Sequence, residues 1–126
     1  MTVTGNTTFT FPDLTSFGTS EALSGITVNV KSSARYKLYI AGVITSQIGS
    51  STNTIIPINT FTVSATNRGT TSPATITLAD TYLQIAQGAS TNGRNHVLTI
   101  TRNALNTFTQ APGGHVLTLH IRFCQY

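Results

Sequence analysis

Tryptophan is absent from this 126-residue chain, cysteine and methionine occur once each, and only Asp13, Glu21 and Asp80 are acidic. The single cysteine, Cys124, excludes an intrachain disulfide and any cysteine-rich metal site. Three scattered carboxylates make a poor oxygen cage for calcium, and no two of them stand in a recognisable acid–base motif. No GxSxG-type elbow is present to expose a nucleophilic serine. The chain is therefore read as non-enzymatic and without a cofactor. His96, His115 and His120 are expected as surface histidines rather than metal ligands, since His115 and His120 have opposite parity on one strand and face different sides.

Long apolar runs are missing as well: no stretch nears the roughly 20 residues of a membrane helix. The opening MTVTGNTTFTF has no basic region and no continuous apolar core, so no signal peptide is expected within it. Charge is scarce, with 8% charged residues and a formal net charge of +4, against about 25% charged residues in an ordinary domain. The seven basic residues are scattered, so no nucleic-acid-binding arm is expected and the basic balance reflects missing acids.

What is present is periodic. Thr, Ser, Asn and Gly are abundant while 39% of residues are hydrophobic, a balance that suits strands with a hydroxyl-rich wet face and argues against disorder. The organising stretch is ITVNVKSSARYKLYIAG, Ile26 to Gly42. Ile26, Val28 and Val30 alternate with Thr27, Asn29 and Lys31; after Ser32, Ser33 and Ala34, Tyr36, Leu38 and Ile40 alternate with Lys37 and Tyr39. Period-2 alternation puts one apolar row on a core face. The two runs pair as a hairpin, or lie across two sheets if the chain crosses over at the turn.

Other segments carry the same rhythm. Val3, Thr7, Phe9 and Phe11 line one row of a terminal strand. Pro57 marks the residues around it as an edge or strand entry, and Phe61, Val63 and Ala65 follow as an alternating row. Leu83 and Ile85 favour a strand over a short helix capped by Asp80. Asn92-Gly93 reads as a hairpin tip, followed by Leu98 and Ile100 on one row. In the last strand Leu117, Leu119, Ile121 and Phe123 point one way, and Val116, Thr118, His120, Arg122 and Cys124 the other. Roughly eight or nine strands, with turn signals every 8 to 12 residues, predict an all-β fold: one antiparallel β-sandwich, Ig-like or jelly-roll, spanning residues 1–126.

Three segments, ITVNVKSSARYKLYI, TITRNALNTF and APGGHVLTLHIRF, resemble the immunoglobulin-like β-sandwich modules of bacterial surface and fimbrial (pilin-like) proteins, including the spore coat U and WxL-type groups. The WxL signature itself is missing, as are the paired cysteines of many fimbrial subunits. The resemblance implies a subunit displayed outside a cell, in an extracellular filament or pilus-like fibre. Such subunits often polymerise by lending a terminal strand to an incomplete neighbour. Here residues 1–11 would be that donated or swapped strand, with Val3, Gly5, Thr7, Phe9 and Phe11 at the subunit interface; the other reading makes them the first strand of their own domain. Self-association is the expected partnership.

Two alternatives remain at this stage, a virion surface or decoration protein and a carbohydrate-binding module. For the latter, Arg35, Lys37 and Tyr39 form a candidate ligand face that would take a glycan or cell-surface polymer, with Tyr36 and Tyr82 as further aromatic candidates.

Overall fold

The structure is a computed structural model and describes residues 1–5, 7–11, 21–22, 25–46, 58–69, 75–103 and 115–126. Ten strands follow one another: β1 (Thr2–Thr4), β2 (Thr8–Phe11), β3 (Glu21–Ala22), β4 (Ile26–Ser32), β5 (Tyr36–Ser46), β6 (Phe61–Ala65), β7 (Thr75–Thr77), β8 (Leu83–Gly88), β9 (Thr91–Arg102) and β10 (His115–Gln125). A 3₁₀ turn, Ile58–Thr60, leads into β6. No helix among the described residues is long and apolar enough to cross a membrane.

The strands form two antiparallel sheets. The larger runs β1-β4-β9-β6-β7, with β3 also against β9, and the smaller runs β2-β10-β5-β8. Chain order explains this arrangement. β6 pairs with β7, β5 with β8, β4 with β9 and β2 with β10, so the chain is one long two-stranded ribbon nested outward from the β6–β7 end. Rolling that ribbon brings β6 beside β9 and β5 beside β10. This is jelly-roll connectivity within the expected sandwich.

The organising stretch contributes to both sheets. β4 lies in the larger sheet and β5 in the smaller, so the chain crosses over at residues 33–35 and the two apolar rows face each other. Ile26, Val28 and Val30 from β4 and Tyr36, Leu38 and Ile40 from β5 are fully buried. Leu98 and Ile100 of β9, Phe61 and Val63 of β6, and Leu117 and Leu119 of β10 complete the core. Burying each such side chain is worth about 1.5–3 kcal/mol.

Three segments depart from their local patterns. Residues 2–11 are not one strand: β1 joins the larger sheet and β2 the smaller, and between them Gly5 has φ 115°, a conformation glycine tolerates. Asn92-Gly93 is not a hairpin tip either. It lies inside β9, where Val30 pairs with Arg94 but Ser32 with Thr91, so β9 carries one extra residue there as a bulge. The chain turns at Ala89-Ser90 instead. Third, β5 runs unbroken through Gly42 to Ser46, beyond the end of the organising stretch at Gly42.

Gly42 is needed for packing. Its amide donates to the Ala79 carbonyl at 2.9 Å while the Leu78 amide donates to Phe61 at 2.9 Å, so residues 78–79 step from one sheet to the other. A Cβ on Gly42 would lie 2.6 Å from Leu78 Cδ2. The expectations for Pro57 and for residues 104–114 lie outside the described residues.

Candidate functional site

Alternation assigns each sheet an outer face, and the two faces differ in chemistry. On the larger sheet the register sets Thr77, Thr62 and Thr101 in one row and Thr75, Ser64 and Thr99 in the next. Further along, Thr4, Thr27 and Val97 share a row, as do Thr2, Asn29 and Asn95. Asn29 Nδ2 donates to Asn95 Oδ1 at 2.8 Å across the strands. Among the described side chains of this face, Lys31 at the end of β4 is the one charge.

The smaller sheet presents cations and tyrosines. Lys37 stands between Gln87 and Cys124, and Tyr39 between Gln84 and Arg122. Tyr82, just before β8, is exposed, and the Arg122 guanidinium carbon lies 5.8 Å from its ring centroid. Tyr39, Tyr82, Arg122 and Cys124 line a depression of about 260 Å³. Beyond β10 the Tyr126 amide donates to the Arg35 carbonyl at 2.9 Å, which continues the strand pairing. The Tyr126 ring there receives Arg35 at 5.0 Å and Lys37 at 4.9 Å. Further down the same face lie Ala41, paired with His120, and the exposed Val43, paired with Thr118.

The structure thus brings Arg35, Lys37 and Tyr39 together with Tyr82, which the sequence offers as a further aromatic candidate, and with Arg122 and Tyr126, which it does not. β10 makes the connection by lying beside β5 over its whole length. Tyr36 belongs elsewhere, fully buried in the core, and Lys31 is on the other sheet.

The N-terminal candidates sit in the chain's own sheets. Val3 pairs with Val28 and is half-buried, and the Thr7 carbonyl accepts from Leu119 at 2.8 Å. Phe9 enters the core opposite Leu117, and the backbone of Phe11 pairs with His115.

Two buried polar side chains escaped sequence reading. His96 and Arg102 lie on the inward row of β9 with Leu98 and Ile100, and both are almost wholly buried. His96 is not on the surface as expected: Tyr36 Oη lies 2.7 Å from its Nε2, and the Thr66 carbonyl 3.1 Å from its Nδ1. Parity with Leu98 and Ile100 is the signal that could have found both. No three of His, Cys, Asp and Glu come together as a metal site would require among the described residues.

No protein family matches the chain, and neither curated proteins nor solved structures provide a match. The fold and its faces define a jelly-roll β-sandwich whose described outer side chains carry a single charge, Lys31, on one sheet and are basic and tyrosine-rich on the other.

Proposed function

We propose that the chain is a non-enzymatic structural module, a building block of an extracellular assembly, and that copies meet through the outer face of the larger sheet. One observation carries this reading: four rows of Thr, Ser, Asn and Val across that sheet hold no charged side chain among the described residues. Charge is what keeps the surface of a solitary domain apart from its copies, whereas the centres of protein interfaces are depleted in it.

Face contact is preferred over exchange of strands for two reasons. Residues 2–4 and 8–11 already pair with β4 and β10 of their own chain. The sheet edges are also poor templates: β1 and β7 have three residues each, β2 has four, and β8 is interrupted by a bulge at Ile85.

Light scattering with negative-stain microscopy on the native protein tests the reading. Regular assemblies are expected, and Thr62→Lys with Thr99→Lys should reduce them to monomers that unfold at the original temperature. A wild type that stays monomeric at every concentration overturns it. Jelly rolls also build viral shells, and closed particles instead of fibres would move the proposal to a virion surface.

A further inference from the structure

We infer that the outer face of the smaller sheet binds an acidic polysaccharide, with Arg122, Tyr39 and Tyr82 forming the central subsite and Lys37 and Arg35 extending it along the strand. This goes beyond the assembly reading and uses the opposite face, so both roles are compatible in one molecule.

The central subsite has a shape. Tyr39, Tyr82, Arg122 and Cys124 line an open depression of about 260 Å³, just below the usual size of a ligand pocket and suited to one sugar ring rather than a folded partner. Arg122 is exposed, and its guanidinium lies 5.8 Å from the centre of the Tyr82 ring. A cation–π contact of that kind restrains the guanidinium before a ligand arrives, which lowers the ordering cost of binding. A guanidinium held this way matches a carboxylate or sulfate with two parallel hydrogen bonds. The tyrosine rings supply an apolar surface for sugar C–H groups and a hydroxyl for sugar oxygens.

Charge selects an acidic chain over a neutral one. Arg35, Lys37 and Tyr39 alternate along the sequence, so successive positions are about 6.6–6.8 Å apart in an extended strand. Tyr126 holds the first two cations at 5.0 and 4.9 Å from its ring. Of the three carboxylates in the sequence only Asp80 has a described side chain, exposed two residues before Tyr82. Three cations form a short track. Tight nucleic-acid binding commonly neutralises twice as many phosphates or more, so a polysaccharide with spaced charges fits better than a nucleic acid.

The test uses the full chain with polygalacturonate and chondroitin sulfate as acidic probes, dextran as the neutral probe and an oligothymidylate as the nucleic acid, at low and physiological salt. Both acidic polymers should bind, dextran should not, and the oligothymidylate should bind more weakly than either. Arg122→Ala and Tyr82→Ala each replace an exposed side chain and should weaken binding roughly tenfold or more. Lys31→Ala on the other sheet should leave it unchanged. Absence of binding to both acidic polymers, an Arg122→Ala protein that binds like the parent, or tighter binding of the oligothymidylate overturns the inference. Loss of glycan binding with intact assemblies would remove this inference alone; monomers that still bind glycan would remove only the assembly reading.

Discussion

The Tyr36 hydroxyl in the smaller sheet meets His96 Nε2 in the larger at 2.7 Å, with both side chains fully out of solvent. Because the Thr66 carbonyl at 3.1 Å only accepts, His96 carries its proton on Nδ1 and its Nε2 accepts a hydrogen bond from the Tyr36 hydroxyl. The pair is a polar bolt through an apolar core. Phe123 leans on the Tyr36 ring at 5.8 Å, and Gly88 leaves room for its hydroxyl.

This bolt makes stability fall in mild acid. Burial holds His96 below its ordinary value of 6.5, the Arg94 charge pushes the same way, and the Thr66 hydrogen bond opposes them. The unfolded chain therefore takes up this proton at higher pH than the folded one. The contribution is complete above about pH 6.5 and is lost as pH falls through the folded value. Thermal unfolding should shift to lower temperature from neutral pH to about pH 5, and His96→Gln should flatten that slope. Tyr36→Phe should cost about 1–3 kcal/mol at neutral pH by leaving Nε2 buried without a donor. Equal pH slopes in parent and His96→Gln would refute the assignment.

Glycine is required at Gly88 and replaceable at Gly93. A Cβ on Gly88 would lie 2.6, 2.7 and 2.8 Å from three atoms of the rigid Tyr36 phenol, whereas at Gly93 the nearest atom is Asn29 Nδ2 at 3.8 Å. Gly88→Ala should destabilise by about 1–3 kcal/mol or more, the cost of overpacking a filled core. Gly93→Ala should leave the denaturation midpoint nearly unchanged. The opposite ranking would mean that the tyrosine lies elsewhere.

Phe9 distinguishes an intramolecular strand from an exchanged one. It is buried opposite Leu117 of the same chain, so Phe9→Ala should cost about 3–5 kcal/mol. That loss should be independent of protein concentration, because no second chain supplies the residue. A concentration-dependent loss would point to exchange of residues 1–11 between copies.

Ionic strength should separate the two faces. Contact through the uncharged rows of the larger sheet involves no described ion pair, so the assembly should persist as salt rises. Acidic glycan binding at Arg122, Lys37 and Arg35 should weaken over the same titration. Assemblies that dissolve in moderate salt would contradict contact through the uncharged rows.

Much of this fold is legible in the sequence because one face of each strand is apolar. The rows Ile26/Val28/Val30 and Tyr36/Leu38/Ile40 identify two core-facing strands without further information. What alternation does not encode is sheet membership: Ser32 to Arg35 look equally like a hairpin tip and a crossover. Bulges are hidden for a similar reason. Asn92-Gly93 has the composition of a tight turn, yet it is absorbed within β9 opposite Val30 to Ser32. At Ile85 the bulge turns two successive residues, Ile85 and Ala86, into the core. The basic face is legible in its β5 part and in Tyr82, whereas Arg122 and Tyr126 join it only through the long-range pairing of β10 with β5.

The nested ribbon also governs when folding can finish. β10 is an interior strand of its sheet, flanked by β2 and β5, and Thr118 pairs with Thr8 across most of the chain. During synthesis the early strands must wait for residues 115–125 before the smaller sheet can close. Pairings of such sequence separation form slowly because the loop entropy is lost before contacts repay it. A ribosome paused before residue 115 would hold β2 and β5 with unpaired edges, exposed to chaperones and to neighbouring chains.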